Sequence, residues 1–513
     1  MNGAPETLGV VLDGKPLTLS GIGQMLGKRL DVRIGDGVWK RIDASAERVA
    51  ALCDGDRAAY GINTGFGKLC RKRIAPAELS KLQENLILSH AVGVGSRAGD
   101  DVVRLMLLLK MHALTHGVSG ISRSPIELMA ALLRADLLPV VPLQGSLGAS
   151  GDLAPLAHMV LPLLGRGCVI EQGRVVPAGD ALARAGLVPI ELGPKEGLAL
   201  INGTQFMAAH AAIAIAKARR LVHHADVLAG MSLDAIKGSL APFEDRLHRL
   251  RPHPGAIASA GNVRALLVDS EIHASHAGCD RVQDPYSIRC VPQVHGASRD
   301  ALAHASDVIE REINSVTDNP IIFEDGDVIS GGLFHGQPIA LVMDYLAIAV
   351  SELASISERR TYLLLSGIDG LPEWLMEETG INSGFMIPQY TAAALVSENK
   401  GLCGPASVDT IPSSQGQEDH VSMGARAAVK CLTVLDNAET VLAIEQLCAA
   451  QGLDLRRPLK PGTGVRAAHE AVREKISFAA EDRLLGDDIS MSLSLLRSGG
   501  VLEAVEAAIG ELQ

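Results

Sequence analysis

Residues 298–316 read SRDALAHASDVIEREINSV, and this stretch indicates the fold class most clearly. Its apolar residues recur at helical spacing and form one stripe of Leu302, Ala305, Val308, Ile309, Ile313 and Val316. Asp318-Asn319-Pro320 ends the pattern, because the residue before a proline disfavours the helical conformation. The stretch therefore predicts a long amphipathic helix over residues 298–316 that packs against other helices.

Three further segments have the same helical character, and they cover residues 205–236, 338–364 and 422–450. Long helices in series are typical of a bundle. The first fifty residues instead mix β-like runs, such as Leu8–Leu12, with Gly and Asp turns. We predict a mainly α protein, a long-helix bundle with a smaller mixed α/β N-terminal part, divided into residues 1–204 and 205–513.

The composition supports this fold class and excludes several kinds of protein. The 513 residues are 47% hydrophobic but only 3% aromatic, which favours helices over β-sandwiches. A net charge of −12 argues against a general nucleic-acid binder. The eight cysteines form no C-x-x-C pair, and the N-terminus lacks the features of a signal peptide, so we expect a cytoplasmic protein with reduced thiols. Polar residues interrupt the apolar segment 197–216, so we expect no membrane span there.

Residues 145–158, GSLGASGDLAPLAH, are the most informative about chemistry. Ala149, Ser150 and Gly151 have little side-chain bulk, so the backbone can turn sharply there. One interpretation is a buried turn in which Ser150 or Asp152 caps the next helix. Another is a hydrolase nucleophile elbow at Ser150, although that motif requires Gly where Asp152 stands.

The run A-S-G-D-L-A-P-L-A-H resembles the signature of the histidine ammonia-lyase family, within the wider aromatic amino acid ammonia-lyases and aminomutases. In that family Ala-Ser-Gly cyclises on its own: the Gly nitrogen attacks the Ala carbonyl, and two waters leave, one from the Ser side chain. The resemblance implies that Ala149, Ser150 and Gly151 form this methylidene-imidazolone, with no metal and no external cofactor. Such an electrophile is needed because an amino group leaves poorly, and a covalent adduct addresses that difficulty.

Other motifs resemble family segments in the same order along the chain. Residues 60–67, YGINTGFG, resemble the loop whose tyrosine, here Tyr60, removes the β-proton. A phosphate-binding loop requires Gly where Phe66 stands, and a plain glycine-rich surface loop is the third interpretation. Residues 82–90, LQENLILSH, resemble the segment that contacts the substrate side chain, and the pair Ser89-His90 is typical of members acting on histidine.

Two motifs imply residues that hold the substrate and the prosthetic group. The segment KEGLALINGTQ contains Asn202, which corresponds to an active-site amide of the family. The segment QDPYSIRC contains Gln283, Tyr286 and Arg289; Gln283 would contact the substrate, and Tyr286 would assist near the prosthetic group. The planar guanidinium of Arg289 would bind the substrate carboxylate through two hydrogen bonds. A turn asparagine and a surface arginine are the ordinary structural interpretations.

Phe334 and Glu418 complete the implied site. Phe334 lies in F-H-G and would contact the substrate. Glu418 lies in Q-E-D-H, the form that resembles histidine-specific members, and a carboxylate suits an imidazole because it can accept a charge-assisted hydrogen bond. An acid stabilised by a helix N-terminus is the structural alternative for Glu418.

Two positions and one four-residue run depart from the family pattern and leave the reaction outcome open. Leu333 replaces the usual Asn of G-G-N-F-x-G, Gly404 stands where His is common, and Cys70-Arg71-Lys72-Arg73 makes the loop after Tyr60 basic.

The resemblance implies conversion of L-histidine to trans-urocanate and ammonia by a homotetramer with shared active sites. A histidine aminomutase, which returns the amine to the β-carbon to give β-histidine, uses the same chemistry, and the sequence separates the two poorly. A serine hydrolase or amidase built on Ser150 and a helical scaffold that forms no prosthetic group are alternatives from other classes. The expected partners are a small-molecule amino acid and further copies of the chain, with no nucleic acid and no membrane.

Overall fold

The computed structural model describes residues 6–54, 62, 64, 74–75, 78–278 and 281–513. Tyr60 and the basic run from Cys70 to Arg73 lie outside the described residues, so the interpretations that rest on them remain predictions. The described chain is mainly helical with a few short strands, which confirms the predicted fold class.

The described part of the chain contains the four predicted long helices, here α9, α14, α15 and α17, among many shorter ones. In chain order the helices are α1 (Leu19–Met25), α2 (Asp36–Asp54), α3 (Leu79–His90), α4 (Asp100–Leu114), α5 (Arg123–Arg134), α6 (Leu153–Val160), α7 (Ala178–Arg184), α8 (Glu196–Ile201), α9 (Gln205–Ala235), α10 (Asp245–Arg249), α11 (Pro254–Leu266), α12 (Glu271–Ala274), α13 (Tyr286–Arg289), α14 (Val291–Glu312), α15 (Gln337–Leu364), α16 (Met386–Leu402), α17 (Gly424–Asp454), α18 (Thr463–Lys475), α19 (Leu485–Ser498) and α20 (Gly500–Ile509).

The strands form small two- and three-stranded sheets, and those of the described chain are β1 (Thr7–Leu12), β2 (Arg29–Ile34), β3 (Val94–Arg97), β4 (Leu138–Pro139), β5 (Pro142–Gln144), β6 (Cys168–Glu171), β7 (Arg174–Pro177), β8 (Ile321–Ile322) and β9 (Val328–Ile329). Strands β1 and β2 pair in parallel, with Val10 opposite Val32. Strand β5 pairs antiparallel with β3 and immediately precedes the candidate site. Seven of these nine strands, β1 to β7, lie within residues 1–204. The mixed α/β character is therefore concentrated in the N-terminal part, as the sequence predicts.

The chain forms two compact units, each assembled from three separate segments. The first unit comprises Met1–Ala216, Ser306–Asp344 and Pro405–Val429, and the second comprises Lys217–Ala305, Tyr345–Gly404 and Lys430–Gln513. Helices α9, α14, α15 and α17 each contribute residues to both units. Folding domains of residues 1–204 and 205–513 remain a prediction.

For helix α14, apolar periodicity predicts the buried face correctly but not the ends of the helix. Leu302, Ala305 and Ile309 are buried, as the predicted stripe requires. The helix nevertheless spans Val291–Glu312 rather than 298–316. It ends early because the Asn314 side-chain amide donates to the Glu310 carbonyl at 2.7 Å, and such local side-chain bonds compete with helix continuation.

Helix α4 is a core helix of the first unit. Every residue from Val102 to Leu114 is buried, and a helix buried on all sides belongs to the interior of a protein. Helix α15 is long and apolar enough to cross a membrane, but 67% of its most apolar 18-residue window is buried inside the protein.

Candidate active site

The Ala149-Ser150-Gly151 turn lies between β5 and α6 and packs against the turn that follows α8. Gly151 has a φ of +77°, and a Cβ there would lie 2.1 Å from the main-chain oxygen of Gly203. The main-chain nitrogen of Asp152 donates to that same oxygen at 2.7 Å. A side chain at position 151 would therefore both strain the backbone and collide with Gly203, so this fold requires glycine there.

Ser150 contacts two other residues that the sequence implicates in the site. The Asn202 side-chain amide donates to the main-chain oxygen of Ser150 at 2.6 Å. The Ser150 hydroxyl donates to one carboxylate oxygen of Glu418 at 2.8 Å. The buried Asn202 Oδ1 has no hydrogen-bond partner within the described ranges. The structure thus brings Ser150, Asn202 and Glu418 together.

Two serines hold the second carboxylate oxygen of Glu418. The Ser413 hydroxyl donates to it at 2.5 Å, and the Ser414 hydroxyl donates at 3.1 Å. A main-chain bond of 3.0 Å from the Ser413 nitrogen to the Glu418 carbonyl closes the same loop. Sequence reasoning missed both serines, although two hydroxyls four and five residues before a motif acid were a usable signal, since hydroxyls donate readily to a carboxylate.

His90 ends α3, and Glu418 influences its ionisation. Burial lowers the pKa of the His90 imidazole, and the negative charge of Glu418 acts in the opposite direction. The Ser89 hydroxyl donates to the Leu86 carbonyl at 3.2 Å, and its oxygen lies 3.0 Å from His90 Nδ1. The charge of Glu418 therefore acts on the His90 imidazole, so the structure brings these two sequence-predicted residues near each other.

Asp152 organises the loop, but not in the way that the turn interpretation predicts. It occupies the N-cap position of α6 and makes no side-chain cap bond to that helix. Its carboxylate instead accepts from the Met207 nitrogen at 2.9 Å, in the first turn of α9, and from the Ser146 hydroxyl at 3.0 Å. The prediction that Asp152 caps the next helix is wrong, because the backbone directs its side chain to the start of α9. Burial raises the pKa of Asp152 to about 7.

Phe334 is half-buried in a segment that lies beside the Ala-Ser-Gly loop. A Cβ on Gly336 would lie 2.5 Å from the Met207 sulfur and 2.9 Å from the Ser422 hydroxyl. Ser422 in turn donates to the Gly148 carbonyl at 3.1 Å. Leu333 is 54% exposed, so the departure from Asn at this position presents an apolar side chain on the surface of the chain.

Gln283, Tyr286 and Arg289 belong to the second compact unit. Gln283 is exposed, and Tyr286 is 70% exposed. The Arg289 guanidinium carbon lies 4.5 Å from the centre of the Tyr286 ring, a cation–π contact. Its buried Nε has no hydrogen-bond partner in the part of the chain that the structure describes. The structure thus pairs Tyr286 with Arg289 and leaves guanidinium donors for an anionic group.

Comparison with known proteins identifies the family. The model of the family described as aromatic amino acid lyase matches residues 17–474. The chain belongs to the aromatic amino acid lyase family. It is 52% identical over 506 residues to a histidine ammonia-lyase of Gloeobacter violaceus, covering 98% of each chain. It is 50% identical over 513 residues to a histidine ammonia-lyase of Sorangium cellulosum, covering 98% of this chain and 100% of that one.

Solved structures agree with this membership of the aromatic amino acid lyase family. The Trypanosoma cruzi histidine ammonia-lyase is similar with a TM-score of 0.91 and 40% identity, covering 98% of this chain and 96% of that one. A tyrosine aminomutase of Streptomyces globisporus is similar with a TM-score of 0.93 and 34% identity, covering 99% and 100%. A methylidene-imidazolone is characteristic of the aromatic amino acid lyase family.

Proposed function

We propose that this protein is a histidine ammonia-lyase, a carbon–nitrogen lyase that converts L-histidine to trans-urocanate and ammonia. The observation that carries the proposal is the hydrogen bond from Ser150 to Glu418, 2.8 Å long. It joins the Ala-Ser-Gly signature to the acid that resembles histidine-specific members. The chain is 50–52% identical to histidine ammonia-lyases over nearly its full length, and this similarity supports histidine as the substrate.

The residues present fit a methylidene-imidazolone formed from Ala149, Ser150 and Gly151. Gly151 leaves its nitrogen unhindered by a side chain, and Asn202 offers an amide that already binds Ser150. Formed without any external cofactor, the group would supply an electrophile for the substrate amine. The close contact with Gly203 constrains the turn, so part of the entropic cost of ring closure is met by the fold.

The remaining site residues bind and orient the substrate in this proposal. The Arg289 fork holds the carboxylate, with Gln283 beside it, and Tyr286 assists near the prosthetic group. Glu418 and His90 bind the imidazole, since a carboxylate held by two serines is a preorganised acceptor for an imidazole N–H. Ser89 orients His90 through its hydroxyl.

Two further residues complete the proposed site. Phe334 packs against the substrate ring, and Tyr60, which lies outside the described residues, takes the β-proton.

A histidine aminomutase is the second candidate. The similarity to a tyrosine aminomutase and the departure at Leu333 are the observations in its favour. The histidine ammonia-lyases are more similar in sequence, at 50–52% identity against 34%, and this favours the lyase. The hydrolase alternative has less support, because the Ser150 hydroxyl donates to a carboxylate rather than to a histidine base.

We further propose a cytoplasmic homotetramer with shared active sites that acts on a small-molecule amino acid, without nucleic acid or membrane. Exposed apolar side chains on α15 and α16 support self-association, and within the second unit they are Tyr345, Ile348, Tyr362, Ile387 and Tyr390. Surfaces of this kind mark protein interfaces.

The test is incubation with L-histidine followed by product analysis. Urocanate with an equal amount of ammonia is expected. β-Histidine as the main product would establish the aminomutase instead. Turnover of tyrosine or phenylalanine but not of histidine would overturn the assignment of Ser89, His90 and Glu418.

A further inference from the structure

A buried charge beside the site has no assigned role in the proposed chemistry. Lys110 is the one Lys, Arg, Asp or Glu in the run LMLLLKMHAL, residues 105–114 of α4, and it is 1% exposed. Its Nζ donates to the carbonyl of Asn202 at 2.8 Å and to the carbonyl of Ala199 at 3.1 Å. A lysine is buried in this way only when strong acceptors meet it, so the two carbonyls explain its position.

Those carbonyls lie at the C-terminal end of α8. The last carbonyls of a helix have no partner within the helix, and a cation is favoured there. Helix α8 has only six residues, too few to hold its own end by helix propensity. The two hydrogen bonds from Lys110 Nζ therefore fix the point at which the chain leaves α8 and enters the Asn202-Gly203 turn.

Asn202 is hydrogen-bonded both to Lys110 and to the Ala-Ser-Gly turn of the candidate site. Its main-chain oxygen accepts from Lys110, and its side-chain amide donates to Ser150 at 2.6 Å. We propose that Lys110 is a positioning residue, whose Nζ holds the main chain of Asn202 and thereby directs the Asn202 amide to the Ser150 carbonyl. The inference rests on the proposed function and extends it to a residue that does not touch the substrate.

Lys195 is a matched control in the same unit. It is 0% exposed, and its Nζ binds the Asp318 carboxylate at 2.9 Å and the Ser119 carbonyl at 2.7 Å. Replacing either lysine by Met removes one buried Nζ donor and leaves an unbranched apolar side chain at an equally buried position. Lys195→Met also leaves the buried Asp318 carboxylate without its cation, so a purely structural role predicts at least as large an effect of Lys195→Met as of Lys110→Met. Because only Lys110 donates to Asn202, a positioning role predicts the larger loss of kcat or processing in Lys110→Met.

The experiment compares Lys110→Met with Lys195→Met in the full-length chain. Three quantities are measured: the free energy of unfolding, the fraction of chains that have lost two waters by intact mass, and kcat and KM for L-histidine. We expect Lys110→Met to lower kcat or the processed fraction about tenfold or more, with KM within about twofold, because Asn202 binds the protein and not the substrate. Lys195→Met should stay within about threefold in kcat and processing although its loss of stability is equal or larger, because it leaves the buried Asp318 carboxylate unpaired. Equal losses in the two variants would overturn the proposal.

A double-substitution cycle with Asn202→Ala is the second measurement. If Lys110 acts through Asn202, Lys110→Met should change the measurable quantity less than about twofold once Asn202 is Ala. The same tenfold loss in both backgrounds would contradict that route. If neither kcat nor processing is measurable in Asn202→Ala, the comparison of the two lysine variants decides.

The experiment distinguishes a variant that fails to fold, a failure of the proposed function and a failure of the positioning role. If Lys110→Met does not fold, Lys110→Gln, which keeps N–H donors on a shorter side chain, replaces it with Lys195→Gln as control. A wild-type chain that neither loses two waters nor turns over L-histidine would overturn the proposed function. A processed, active wild type with equal losses in both lysine variants would overturn the positioning role alone.

Discussion

Ser150 and Glu418, 268 positions apart in the chain, are joined by a direct hydrogen bond in which the hydroxyl donates to the carboxylate across 2.8 Å. Under the proposed function the Ser150 hydroxyl departs as water during self-processing. The carboxylate oxygen that it occupied then becomes available, while Ser413 and Ser414 continue to hold the other oxygen. The same acid can therefore serve the unprocessed chain and afterwards accept the imidazole N–H.

Glu418→Gln tests the imidazole contact. Loss of a hydrogen bond to a charged group costs about 1.5–3 kcal/mol, so kcat/KM for L-histidine should fall roughly 10- to 150-fold. The intact mass should still show the loss of two waters. Glu324→Gln, which makes the same charge change at an exposed acid of the same unit, should leave kcat/KM unaltered. An unchanged kcat/KM in Glu418→Gln would remove Glu418 from substrate binding.

The two serines that hold Glu418 should contribute unequally to kcat/KM for L-histidine. The Ser413 bond is 2.5 Å long and the Ser414 bond is 3.1 Å, and shorter bonds to a carboxylate are the stronger ones. Ser413→Ala should lower kcat/KM about fivefold, for a loss of about 1 kcal/mol, and Ser414→Ala less than about twofold. Steady-state kinetics on both variants measures this. A larger effect at Ser414 would contradict the geometry.

Gly151→Ala and Gly173→Ala form a matched pair. Both glycines have a φ of +77°. A Cβ added at position 151 would lie 2.1 Å from the main-chain oxygen of Gly203, whereas a Cβ added at position 173 would have no contact within 4 Å. Gly173→Ala should cost roughly 1–2 kcal/mol of unfolding free energy from backbone strain alone. Gly151→Ala should cost clearly more and should abolish the loss of two waters. Equal destabilisation with intact processing would show that the turn at 151 tolerates a side chain.

Asp152 makes a pH-dependent contribution to stability. Its pKa is about 7 in the folded chain against 3.8 for the ordinary carboxyl, so the folded state keeps a proton that the unfolded state releases between pH 3.8 and 7. Its contribution to stability is present at low pH and is lost as the pH rises through this window, by up to about 1.4 kcal/mol per pH unit. Urea unfolding at pH 5, 6 and 7 should show a flatter dependence in Asp152→Asn. Parallel curves for the two proteins would contradict the shifted pKa.

Apolar periodicity predicts the four longest described helices, because each buries a broad apolar face and that pattern is visible in its own sequence. Periodicity does not predict where α14 ends, since the end depends on a hydrogen bond from the Asn314 side-chain amide to the preceding turn. The sequence likewise names Ser150, Asn202 and Glu418 through motif resemblance. It does not reveal Ser413 as a partner, because an irregular loop, which has no periodic pattern, returns Ser413 to Glu418. It does not reveal Lys110 as an anchor, because the carbonyls that Lys110 binds lie 89 and 92 positions further along the chain. A lone lysine within an apolar helix was a signal that something polar had to be buried beside it.

The most direct test of the account is the intact mass of the purified chain. The account predicts a mass lower than the sequence value by two waters, about 36 Da, in the wild type and no such loss in Ser150→Ala, with the modification mapped to the peptide containing residues 149–151. A chain that converts L-histidine to urocanate with its unmodified sequence mass would contradict it.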